Sequence, residues 1–170
     1  DKETAELAIQ AALTGHLVFS TVHANNAFDV IGRFVNMGIE PYNFVASLNC
    51  IMAQRLVRRL CEACKVPVSV SPEHCEQLGF DPHLFADRPI YDGKGCVDCH
   101  GLGFRGRHAI TEFLPVTDRI KDMILERRAP SEIPKIATAE GMSTLRQAGI
   151  EKVLAGDTTM KEVNRATFVG

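Results

Sequence analysis

The run "HLVFSTV", residues 16–22, decides the fold class. It carries no acidic, lysine or arginine side chain and is rich in β-branched and aromatic residues (Val18, Phe19, Thr21, Val22). Such a run predicts a strand buried on both faces, as in a parallel sheet. Upstream, "DKETAELAIQAALTG" places Ala5, Ala8, Ala11 and Ala12 at helical spacing, and Gly15 can take the left-handed cap. Downstream, "NNAFDVIGRFVNMG" predicts a second helix, with Asn25 or Asn26 as N-cap, Asp29 early and Gly38 as terminator. His23 stands at the carboxyl end of the strand. Helix, buried strand and helix together point to an α/β fold.

Further along, "PYNFVASLNCIMAQRLVRRL" predicts a longer helix starting at Pro41, a residue suited to the first turn. On that reading Cys50 packs in the core, and Arg55, Arg58 and Arg59 share one side near a helix end where the dipole favours them. From Cys61 to about Phe104 periodicity fades while proline, glycine and histidine rise, which predicts a small inserted lobe. "GRHAITEFLPV" then predicts a returning strand. The remainder predicts helices: "DRIKDMILERR", "SEIPKIATAEG", "STLRQAGIEKVLAG" and "TMKEVNRATF". Gly141 and Gly156 punctuate them, and Thr159 with Glu162 forms a capping box. No internal repeat or low-complexity segment is present.

The composition sets outer limits. With 170 residues, 45% of them hydrophobic and 24% charged, the chain is ordinary globular material. A net charge of −2 gives no electrostatic case for nucleic acid or an anionic membrane as the main partner. No apolar run approaches the roughly 20 residues of a membrane span. The opening "DKETAELAIQ" reads as no signal peptide, and a start without Met at the head of a helix suggests a portion upstream.

Six cysteines (50, 61, 64, 75, 96 and 99) are few for a disulfide scaffold. Cys61-x-x-Cys64 and Cys96-x-x-Cys99 flank the lobe with 31 residues between them. Two such turns present four thiolates, the full tetrahedral shell of a structural zinc. Gly95, Gly101 and Gly103 supply the backbone freedom that tight turns around a metal need. Cys96 to His100 also spells C-x-x-C-H, the attachment signature of a c-type haem. That reading leaves Cys61 and Cys64 unexplained, so zinc is favoured. His74, Cys75, His83 and His100 are the alternative ligands. Replacing Cys61 by Ser is expected to release the metal and loosen the lobe while the helical tail stays folded.

Four stretches carry a resemblance. "ETAELAIQAALTGHLVFSTVHANNA", "MAQRLVRRLCEAC", "GCVDCHGLGFRGRHAITEFLPV" and "GMSTLRQAGIEKVLAGDTTMKEVNRAT" are similar, in this order, to the C-terminal half of the secretion ATPase superfamily. The branch they resemble is that of the type II secretion and type IV pilus-assembly motor ATPases. The resemblance implies the C-terminal part of a RecA-like P-loop ATPase domain with an inserted tetracysteine zinc lobe and a helical C-terminal tail. The divisions expected are a core part at 1–60, a zinc lobe at 61–104, and a returning strand with the helical subdomain at 105–170. It further implies a hexameric ring on the cytoplasmic face of the inner membrane, driving pilus or pseudopilus assembly through membrane platform partners.

Asp1-x-Glu3-Thr4 resembles the end of the family's Walker B segment. His23 aligns with its histidine box near the nucleotide phosphates, which fits the gathering of ligands at strand carboxyl ends. His16 matches a shared position of structural character. Gln54, Arg55 and Arg58 match a further motif, from which Arg55 and Arg58 are the candidates for nucleotide contact. Arg105 and Arg107 are expected at lobe contacts. Where the family more often has Thr-Asn-Ser after the histidine, this chain has Ala24-Asn25-Asn26. No G-x-x-x-x-G-K-[ST] occurs. ATP and Mg are therefore expected in a longer parent, and these residues alone are expected neither to bind ATP tightly nor to hydrolyse it. The rival readings are a stand-alone zinc-binding interaction module and a cytochrome-like protein.

Overall fold

The computed structural model describes residues 1–86, 88–129 and 131–167. Phe168, expected in the last helix, lies outside the described residues. The elements in chain order are α1 (Lys2–Leu13), α2 (Ala27–Asn36), α3 (Pro41–Ser47), β1 (Cys50–Leu60), β2 (Lys65–Val68), α4 (Pro72–Gln77), β3 (Ile90–Gly93), β4 (Phe104–Pro115), α5 (Asp118–Leu125), α6 (Ile133–Ala139), α7 (Leu145–Leu154) and α8 (Met160–Thr167). Short 3-10 turns cover Pro82–Leu84 and Val97–Cys99. Strand β1 pairs with β4, and β2 runs antiparallel to β3 with Lys65 opposite Gly93 and Val68 opposite Ile90. Among the described residues no helix is long and apolar enough to cross a membrane.

The chain forms two compact units. One comprises residues 1–53 and 112–144, the other 54–111 and 145–170. The first has a core of Ile9, Ala27, Ile31, Phe44, Leu114 and Ile120 with their neighbours, and the Phe34 and Phe44 rings stack at 5.2 Å. Local signals set its helices. Asn26 accepts the N–H of Asp29 at 2.8 Å to cap α2, Pro41 opens α3, and Thr117 caps α5. Gly15 and Gly38 end their helices at φ +94° and +73°.

The second unit's core is Cys75, Phe80, Phe85, Ile90, Val153, Met160 and Val163. Helices α7 and α8 approach closely at Gly149, where a Cβ would lie 2.6 Å from a Val163 methyl. The cysteine lobe and the C-terminal helices thus share one apolar core.

Two expectations are corrected. Residues 41–60 are not one helix: α3 ends at Ser47, and β1 begins at Cys50. From Cys50 to Val57 exposure alternates, with Ile51 and Val57 buried and Cys50, Met52, Gln54 and Leu56 exposed. The pairing with β4 overrides the helix propensity of the Gln, Arg and Leu residues. Cys50 is consequently exposed, and Arg55, Arg58 and Arg59 sit on a strand rather than at a helix end.

Residues 16–22 form no strand, and Leu17 and Phe19 are 79% and 89% exposed. A strand buried on both faces needs partners on both edges. No described strand runs beside this one.

Candidate functional site

The lobe is built around four sulfurs. Strand β1 ends at Leu60 and delivers Cys61 and Cys64. The turn at 96–99 delivers the other pair. The four Sγ atoms lie within 4.8 Å of one another, with Cys61 to Cys96 and Cys64 to Cys99 both at 3.8 Å and Cys96 to Cys99 at 3.7 Å. These separations are far too long for disulfides, whose sulfurs lie at about 2.0 Å. With Zn–S bonds of about 2.3 Å, a regular tetrahedron has S···S edges of about 3.8 Å. The donor set and its spacing therefore fit a closed tetrahedral metal site. His74, Cys75, His83 and His100 contribute no atom to this group of four. His100 is exposed and takes the left-handed conformation at φ 53°.

Backbone geometry holds the sulfurs in place. The N–H groups of Cys96 and Gly103 both donate to Cys99 Sγ at 3.2 Å. Gly95 and Gly103 have φ of +86° and +75°, and a Cβ on Gly95 would come within 2.5 Å of the Gly101 carbonyl oxygen. Only glycine fits there.

Burial pushes the Cys64 thiol up to about 12, opposed in part by the Gly95 N–H. Burial acts the same way on Cys99, but the two N–H donors and the neighbouring thiols outweigh it and hold that thiol down at about 6. A metal ion binds cysteine as thiolate, so a divalent cation would offset the burial that pushes the Cys64 thiol up.

The arginine motif divides. Arg55 is half-buried on β1, on the face that carries Ile51 and Val57. Arg58 points to the opposite face, and its guanidinium donates to Glu162 Oε1 at 2.6 Å while its N–H donates to Oε2 at 3.1 Å. Arg165 donates to Glu162 Oε2 at 2.8 Å, and Arg58 lies over the Phe104 ring at 4.1 Å. Glu162 is only 3% exposed. The expected capping box on α8 is half made: Thr159 accepts the N–H of Glu162 at 3.3 Å, but the carboxylate turns to Arg58.

His23 is exposed and lies in the segment entering α2. His16 Nδ1 stands 3.1 Å from the Thr14 hydroxyl and 3.2 Å from the Ala11 carbonyl, a local helix-end role. Arg105 and Arg107 are exposed on either side of Gly106 in β4. Sequence reasoning missed Glu112, a 3%-exposed carboxylate that accepts the Ala27 N–H at 2.6 Å. Only its acidic place in an otherwise apolar strand, "AITEFLPV", could have drawn attention to it.

Comparison with known proteins adds the relationships. A family profile described as Type II/IV secretion system protein matches residues 1–165. The chain is 47% identical over 168 residues to the type IV pilus assembly ATPase PilB of Thermus thermophilus, covering 99% of this chain and 19% of that protein. It is 44% identical over 167 residues to the type II secretion system protein E of Pseudomonas aeruginosa, covering 98% of this chain and 33% of that one. The chain thus spans between about a fifth and a third of the length of these relatives.

Among solved structures, the Yersinia pseudotuberculosis ATPase DotB is similar with a TM-score of 0.63 at 22% identity, over 98% of this chain and 34% of that one. The pilus retraction motor PilT, solved with bound ADP, gives 0.62 at 23% identity, over 98% and 36%. These likenesses establish a shared α/β fold.

Proposed function

Because the chain belongs to the family of type II/IV secretion system proteins, we propose that it is the C-terminal part of a RecA-like motor ATPase that hydrolyses ATP to drive type IV pilus assembly or type II secretion. The observation that carries this reading is the family match across residues 1–165. In this reading the motor is a hexameric ring at the cytoplasmic face of the inner membrane, engaging membrane platform proteins. ATP and Mg are held by a phosphate loop, a motif these 170 residues do not contain.

His23 faces the nucleotide phosphates, where an imidazole can hydrogen-bond a phosphate oxygen or a water. Arg55 reaches the nucleotide or a neighbouring subunit. Arg58, engaged by Glu162, fits a tie between β1 and α8 better than a phosphate contact.

Cys61, Cys64, Cys96 and Cys99 would hold one zinc in a closed site. Zinc there supplies folding energy and no open coordination position, about 10–16 kcal/mol by comparison with zinc-finger peptides. Its chemistry is architectural.

The test is ATP turnover. The complete polypeptide is expected to hydrolyse ATP, and His23→Ala within it to lower kcat by about 100-fold. The 170 residues alone are expected to show no nucleotide-dependent turnover. Turnover by the short chain would overturn the reading of the fragment. A complete polypeptide with no ATPase activity would leave the rival, a zinc-binding interaction module.

A further inference from the structure

Glu112 is the one acidic side chain buried among the described residues of the first unit, and it has work that the sequence does not announce. It sits on β4 beside Leu114, which is fully buried, and reaches Ala27, also fully buried, at the start of α2. Its Oε1 accepts the Ala27 N–H at 2.6 Å across 85 residues of sequence. Asn26 caps the same helix from within by accepting the Asp29 N–H at 2.8 Å. Two of the helix's initial N–H groups are therefore met, one of them by a carboxylate at the positive end of the helix dipole.

A buried carboxylate is costly to desolvate, and a local cap already exists, so helix capping alone is a weak reason for it. What the distant contact adds is position. Residues 16–21 are exposed and unpaired in any described strand, while Val22 and Ala24, on either side of His23, are half-buried against the core of the first unit. His23 is joined to Ala27 only through Ala24, Asn25 and Asn26. To that apolar packing the Glu112 contact adds the directional polar tie that fixes where this short segment enters α2.

We propose that Glu112 is a positioning residue for His23: by clamping the Ala27 N–H it fixes the start of α2 and so the place of the imidazole. This rests on the reading of His23 as facing the nucleotide. A misplacement of about 1 Å at a reacting group can lower a rate by about 100-fold.

The experiment has two arms. In the zinc-loaded 170-residue chain, the imidazole NMR lines of His23 are followed in Glu112→Ala and Glu112→Gln, with His16 as internal control because its contacts lie within its own helix end. Glu112→Ala is expected to shift and broaden the His23 lines and leave His16 unchanged. Glu112→Gln, whose amide oxygen can accept the same N–H, is expected to restore them. If Glu112→Ala does not fold, Glu112→Asp serves: it keeps the charge and shortens the reach by one methylene. In the complete polypeptide, the variant that perturbs His23 is expected to lower kcat about tenfold with KM within about twofold, and Glu112→Gln to recover most of it.

His23 lines unchanged in Glu112→Ala or Glu112→Asp would overturn the proposal. So would equal disturbance of His16 and His23, which marks general destabilisation. The reading of His23 fails separately, if His23→Ala turns ATP over at the parent rate while the NMR dependence on Glu112 persists.

Discussion

At Cys99 two backbone N–H groups converge on one sulfur, and the neighbouring thiols complete a cluster with the edges of a tetrahedral zinc site. Zinc read by atomic absorption should therefore be one per chain, falling to near zero in Cys61→Ser. Unchanged zinc in that variant would remove the tetracysteine assignment. Glu162 gives a second test. Burial pushes its carboxyl up, but hydrogen bonds from the Arg58 guanidinium and N–H, with Arg165 nearby, outweigh this and hold it below the ordinary carboxylate range.

A depressed folded pKa contributes stability that is complete above the unfolded value of about 4.3 and is lost as pH falls through the lower folded value. In urea titrations the advantage of the parent over Glu162→Gln should narrow as pH drops from about 5 to about 3. A constant gap would mean the ion pair contributes nothing net. At neutral pH, Glu162→Ala should cost about 2 kcal/mol, since it strands a half-exposed arginine rather than a fully buried one. The grouping of Cys61, Cys64, Cys96 and Cys99 was legible from spacing alone. The contacts of Glu112 with Ala27 and of Glu162 with Arg58 were not, because they span 85 and 104 residues and no local pattern encodes them.

Among the elements, α7 and α8 meet where Gly149 leaves room for Val163. Gly149→Ala should destabilise the protein by about 1–3 kcal/mol through overpacking, despite alanine's better helix propensity. Gly149→Ala with Val163→Ala should cost less than the sum of the two single changes, as a double-mutant cycle would read. Strict additivity would mean the close approach is relieved elsewhere.

Helices with caps, such as α2 with Asn26 and α5 with Thr117, were readable because their start signals are local. Strand β1 was not. "AQRLVRRL" has helix-forming residues, and what makes it a strand is β4, more than forty residues on. The run at 16–22 failed the other way: its composition suits a buried strand, but its edges have no described partner.

On the scale of the molecule, each unit has its own core, and the lobe's Phe80, Phe85 and Ile90 pack with Val153, Met160 and Val163 of the C-terminal helices. This revises the expectation that the helical tail would be indifferent to metal loss. Hydrogen exchange after chelation should show protection lost in β2, β3 and the cysteine turns and weakened in α7 and α8, while α2 and α5 keep theirs. Uniform loss across both units would contradict separate cores. The family was legible because its motifs follow one another along nearly the whole chain.

The function proposed here makes this chain part of an ATP-driven motor. Its most direct test is steady-state ATP hydrolysis by the polypeptide of the complete reading frame, purified with zinc bound. Turnover well above background is expected, with a fall of about 100-fold in His23→Ala and none from residues 1–170 alone. A complete polypeptide that hydrolyses no ATP, or one indifferent to His23, would contradict it.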